Sequence, residues 1–95
     1  MTDPTVAVRL PAGLRAWSGG QAVIELSGAT VAAVLDQLHA AYPDVERRVR
    51  DEQGRLRAHV NVFVGADNIR DLNGLQTALA ADQQVTILPA VSGGR

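Results

Sequence analysis

The chain has 95 residues, a formal net charge of -1, 46% hydrophobic and 20% charged residues, and no cysteine. One domain of this size buries roughly 60–65% of the surface its unfolded form exposes, so a single modest core is expected and a second domain is excluded. The nine arginines are spread from Arg9 to Arg95 with no concentrated basic footprint, no apolar stretch approaches a membrane span of about 20 residues, and the missing thiols rule out disulfides, thiolate metal sites and a cysteine nucleophile.

In Thr5-Val6-Ala7-Val8-Arg9-Leu10, Val6, Val8 and Leu10 share one face, the two-residue period of a half-buried strand, before Pro11 and Gly13 interrupt it. After Gly19-Gly20, which read as a turn, residues 22–26 make a second strand, joined to the first by a short hairpin with Trp17 as a cap over the core. From Thr30 the period changes. Val31, Val34, Leu35, Leu38 and Tyr42 have helical spacing, Thr30 is a suitable N-cap, and Pro43 stops simple continuation. The apolar stripe must lie on the sheet, with Asp36 and Gln37 towards water. Residues 45–50 add one helical turn. Arg47, Arg48 and Arg50, interleaved with Asp44, Glu46, Asp51 and Glu52, read as a solvated face.

Gln53-Gly54 leads by a turn into a third strand over residues 57–64, with Val60, Val62 and Val64 alternating against His59, Asn61 and Phe63. Gly65-Ala66-Asp67-Asn68 supplies a second turn and Ile69 a brief strand. Leu72, Leu75 and Leu79 mark a compact connection with a helical turn. Residues 84–88 form the last strand, Val85 and Ile87 inward, Thr86 and Leu88 on the other surface, with Pro89 ending regular pairing. The order is α+β: a mixed sheet of four to five strands on one main helix, spanning residues 1–89, followed by a flexible tail, residues 90–95, with a diglycine.

That tail carries the functional argument. Thr86-Ile87-Leu88-Pro89-Ala90-Val91-Ser92-Gly93-Gly94 runs from a strand straight into small residues and two glycines. With the Gly19-Gly20 turn, the helix from Thr30, the strand Val60-Asn61-Val62-Phe63-Val64 and the segment Gly74-Leu75-Gln76-Thr77-Ala78-Leu79, it resembles the ubiquitin-like sulfur carriers of the ThiS/MoaD family over nearly the whole chain. It looks closest to the branch serving cysteine and related sulfur metabolism. The resemblance implies a β-grasp fold and a non-catalytic role. It also implies that an E1-like adenylating enzyme spends ATP, with Mg²⁺, on the Gly94 carboxylate, and that a sulfur donor replaces AMP to leave a thiocarboxylate for a recipient synthase. Without Cβ atoms, Gly93 and Gly94 can thread a narrow channel. Arg95 departs from the simplest family pattern. It is either a cap removed by a zinc-dependent JAMM-type peptidase before activation, or a residue added to the natural end.

The remaining candidates are few. If Val60, Val62 and Val64 face the helix, Phe63 emerges on the far side beside Leu88, and the two make a small apolar docking patch near the tail. His39 and His59 have neither metal-ligand nor triad spacing and are expected at surface positions, so no catalytic residue and no metal ligand is assigned to this chain. Residues 1–10 have no charged start followed by an apolar core, which points to the cytoplasm. Two other functions keep the same fold: an interaction module that is never activated, and a protein modifier joined to target lysines.

Overall fold

The computed structural model describes residues 3–89. A mixed five-stranded sheet in the order β2-β1-β5-β3-β4 carries two helices on one face. Strand β1 (Thr5–Arg9) pairs antiparallel with β2 (Val23–Ser27) and parallel with β5 (Gln84–Pro89); β5 pairs antiparallel with β3 (Val60–Val64), whose other edge carries the two-residue β4 (Asp67–Asn68). This is the β-grasp arrangement, with β5 in the middle of the sheet.

Alternation decides which face is core. Val6 and Val8 of β1, Ile24 and Leu26 of β2, Val60, Val62 and Val64 of β3, and Val85 and Ile87 of β5 are all buried beneath α1 (Val31–Ala41). From the helix come Val31, Val34, Leu35 and Leu38, all fully buried, and Ile69 closes one side. Thr30 caps α1: its hydroxyl accepts the Ala33 N–H at 3.2 Å, satisfying one of the free donors of the first turn. The preceding Gly28 is buried, and its place in the chain leaves no room for a side chain. A Cβ there would lie 2.7 Å from the Val34 nitrogen and 2.9 Å from its Cγ2.

Several sequence expectations need correction. The β1–β2 connection is no short hairpin, because it holds a 3₁₀ segment (Ala12–Trp17) with no buried residue. Trp17 is therefore not a core cap. It stands 39% exposed, with the Arg48 guanidinium 3.6 Å from its ring centroid. Pro43 stops α1 yet opens a second helix, α2 (Pro43–Val49), since its missing N–H costs nothing at a first helical position. The single main helix thus has a two-turn companion, which buries Val45 and Val49. The third strand starts at Val60, three residues later than its sequence pattern indicates, and Ile69 begins a 3₁₀ turn (Ile69–Asp71) instead of a strand. Pairing of β5 extends through Pro89, which faces Val60.

The connection between β4 and β5 is held to the start of α1. Val31 N–H donates to the Thr77 carbonyl (3.1 Å) and Leu79 N–H to that of Ala29 (2.9 Å). Buried Thr77 is itself satisfied, donating to the Gly74 carbonyl at 2.7 Å and accepting the Asn73 N–H at 3.2 Å. Gly74 has φ 59°, a left-handed conformation that costs a glycine little.

Candidate functional site

Strand β5 delivers the chain to the site. Its register with β3 sets Ile87 opposite Val62, Leu88 opposite Asn61 and Pro89 opposite Val60, while its pairing with β1 ends at Thr86 opposite Arg9. The last three residues of β5 thus run along β3 past the end of the β1 ladder. Gly93, Gly94 and Arg95 lie outside the described residues.

Two surfaces flank this exit. On the sheet face away from the helices, the paired registers line up Val23, Arg9, Thr86, Phe63 and Asn68 across all five strands. Phe63 and Leu88 share that face as diagonal neighbours, Thr86 being the residue directly opposite Phe63. The diagonal distance is within reach of an aromatic side chain. Leu88 is 42% exposed and Phe63 half-buried. The apolar area is small and bordered by polar groups, among them the Asn68 amide, which donates to Asn61 at 3.3 Å.

The second surface is a groove of about 310 Å³ at the end of the sheet, walled by Leu14 and Trp17 of the 3₁₀ segment, Arg48 of α2, and Ile87, Leu88 and Pro89 of β5. Its lining is mainly apolar, and it contains no carboxylate. Arg48 donates from Nη1 to the Asp44 carbonyl at 2.8 Å and stacks on Trp17, yet pairs with no acid among the described residues. His59, exposed, stands at the rim.

A larger polar groove of about 710 Å³ lies on the other side of α2. Here the expectation of a solvated arginine face fails for Arg50. Its side chain is 10% exposed, with Nε 2.5 Å from Glu46 Oε2 and Nη2 2.9 Å from Asp36 Oδ1. Burial alone would lower the Arg50 pKa; the hydrogen bonds and charges of Glu46 and Asp36 outweigh it and hold the value above the ordinary one. Glu46 is buried as well, and its second oxygen lies 2.9 Å from His39 Nδ1. This chain of partners ties α2 to α1, and His39 stands at the surface as its spacing predicts, with its ring against Glu46. Arg47, by contrast, is exposed and pairs only with exposed Asp44 at 3.2 Å. Among the described residues no cluster of three or more His, Asp or Glu is placed to hold a metal ion, and no helix is long and apolar enough to cross a membrane.

Sequence reasoning missed the Trp17–Arg48 pair and the Glu46–Arg50–Asp36 network. Arg48 and Trp17 are far apart in sequence, so no local spacing signals their stacking. Glu46 and Arg50, however, stand four apart on a helix, the spacing at which opposite charges meet.

The profile of the ThiS family matches residues 8–94, from β1 to the second glycine. The chain belongs to the ThiS family. This ThiS-family chain is similar to the sulfur carrier protein CysO of Mycobacterium tuberculosis, 42% identical over 91 residues that cover 94% of this chain and 98% of that protein. The crystal structure of M. tuberculosis CysO superposes with a TM-score of 0.85 at 41% identity, over 90% of this chain and 99% of that one. A chain from the crystal structure of the Amycolatopsis orientalis BexX/CysO complex does so with a TM-score of 0.86 at 34% identity, over 94% and 99%. Small archaeal modifier protein 3 of Haloferax volcanii is 38% identical over 66 residues, 70% of this chain and 71% of that protein.

Proposed function

We propose that this ThiS-family chain is a sulfur carrier, not an enzyme, and that Gly94 is the atom-bearing end. The observation that carries the reading is the continuity of the family match through β5 to residue 94, joined to the likeness to a sulfur carrier over nearly the full length of both chains. Residues 90–94 are five residues, which span at most about 17 Å when extended, enough to reach a recessed active site from the folded domain.

The chemistry follows in balanced steps. Water cleaves the Gly94–Arg95 peptide bond, in the hands of a JAMM-type metallopeptidase, and frees the Gly94 carboxylate. One carboxylate oxygen attacks the α-phosphorus of Mg²⁺-bound ATP on an E1-like enzyme, and pyrophosphate leaves. Hydrosulfide from a sulfur donor then attacks the acyl carbon and AMP departs with the oxygen, leaving a thiocarboxylate. A recipient synthase takes the sulfur in turn. This chain contributes no acid, base, metal or cofactor to these steps; its folded surface confines a reactive sulfide equivalent to enzymes that recognise it. Phe63 and Leu88 belong to that docking surface, and the cytoplasm is where the carrier works.

The test is intact-protein mass spectrometry on two forms, one ending at Gly94 and one at Arg95, after incubation with an E1-like enzyme, ATP and sulfide. The Gly94 form gains the mass difference between sulfur and oxygen; the Arg95 form does not. No gain in either, alongside a control carrier that is charged, refutes the reading. The likeness to an archaeal modifier protein favours a second reading, in which the activated Gly94 ends in an isopeptide bond to a target lysine. Larger covalent adducts in extracts of the native host distinguish that outcome.

A further inference from the structure

The 310 Å³ groove at the root of the tail is separate from the Phe63–Leu88 patch, although Leu88 borders both. Three features converge on it. It lies at the last described residues of β5, so whatever holds Gly94 must approach within about 17 Å of it. Its walls are apolar and its floor is reached by Val60 and Ile87, so it offers desolvation to an apolar side chain. Among the described residues its only full cation is Arg48, which lies over the Trp17 ring and has no carboxylate partner there. A planar guanidinium fixed by stacking and by the Asp44 carbonyl keeps further N–H donors for a carboxylate, at little entropic cost.

We infer that this groove is a second docking point for the enzyme that activates Gly94, and that it receives an apolar side chain next to an Asp or Glu which pairs with Arg48. The inference rests on the carrier reading above and names the partner's chemistry at a defined place. The Phe63–Leu88 patch and the groove then grip the partner on two sides of the same strand end, fixing the direction in which the tail leaves. Neither Trp17 nor Arg48 is buried, so both can be replaced without opening the core.

Trp17 is the only tryptophan in the chain, which makes the groove directly observable. The full chain is labelled with 5-fluorotryptophan and its single ¹⁹F resonance followed as the E1-like enzyme is added; the same enzyme's kinetics are measured on the Gly94-terminated form. Expected are a shifted or broadened resonance and, for Arg48→Glu, a KM about tenfold higher with kcat unchanged, the size of loss that one interface anchor brings. Arg48→Lys, which keeps the charge but not the planar stack, should fall between. An unmoved resonance together with an unchanged KM for Arg48→Glu, on a wild type that is charged, overturns the groove as a docking point while leaving the carrier reading intact. A resonance that shifts on deletion of residues 90–95 without enzyme assigns the groove to the chain's own tail, and one that shifts with protein concentration assigns it to a second copy; either overturns the proposal. A wild type that is never charged removes the carrier reading, and the partner with it.

Discussion

Replacing Gly28 by alanine should destabilise the domain, because the added methyl meets the backbone of α1. The new methyl carbon would stand 2.7 Å from the Val34 nitrogen, 2.9 Å from Val34 Cγ2 and 3.0 Å from the Ala33 carbonyl carbon, and two of those three atoms are helix backbone that no rotamer change can move. Relief requires the first turn of α1 to lift, straining the Val34–Thr30 hydrogen bond at 3.0 Å and the Gly28–Pro4 bond at 3.0 Å. Overpacking costs about 1–3 kcal/mol, and collision with fixed backbone belongs at the upper end. Against this, alanine restricts the unfolded chain and returns about 0.4–1 kcal/mol. The net is a loss of about 2 kcal/mol, which for a domain of this size lowers Tm by roughly 10 °C. Gly13→Ala is the matched control: nothing lies within 4 Å of a Cβ at that position, so only the unfolded-state gain remains and Tm should hold or rise by a few degrees. Thermal unfolding followed by circular dichroism at 222 nm measures both. A Gly28→Ala Tm equal to that of Gly13→Ala would refute the steric argument.

Glu46→Ala should cost about 2 kcal/mol in chemical denaturation, less than the 3–5 typical of a broken buried pair because Asp36 still neutralises Arg50 and the groove admits water; a loss below 0.5 kcal/mol, read as about one quarter of that change, would show the network to be idle. The Asp51 carboxyl is held below its ordinary value of 3.8, first by the N–H of Arg55 and then by that of Gln53, each 2.9 Å from Oδ1. A carboxyl whose folded pKa is depressed stabilises fully above its unfolded value and loses that contribution as pH falls through the folded one. Asp51→Asn should therefore lower stability at neutral pH and converge with the wild type in acid; parallel curves across that window would contradict the assignment. Leu88→Arg, at an exposed position, should leave Tm unchanged while raising KM in Gly94 charging, and an unaltered KM would remove Leu88 from the docking surface.

Most of the fold was legible because each element announces its face by period. Val6 and Val8, Val60, Val62 and Val64, and Val85 and Ile87 alternate as strands must, and Val31, Val34, Leu35 and Leu38 recur as a helix must; all are buried. Thr30 was readable as a cap since capping is a local property. What escaped was decided by distant partners. Pro43 both ends one helix and opens another, and a local rule about proline carries only the first half. Trp17 is large and apolar enough to look like a cap, but its ring is occupied by a cation from α2. Arg50 looked solvated because its neighbours in sequence are charged; the neighbours that bury it are Glu46 one turn back and Asp36 on the other helix. At the site, Gly93 and Gly94 enter by resemblance alone and lie outside the described residues, whereas the groove at the end of β5 has no local sequence signal, since four separate segments build it: the 3₁₀ stretch, α2, the start of β3 and β5.

The central position of β5 has a mechanical consequence. A partner that draws the tail outward pulls along the axis of a strand hydrogen-bonded on one side to β1 over residues 84–86 and on the other to β3 from Val85 to Pro89. Load in that direction falls on the ladder bonds in shear, many at once, instead of unzipping them singly from an edge. In the carrier role proposed above, enzymes that pull in turn on the residues after β5 would load a strand paired on both sides, and the domain behind it would stay folded.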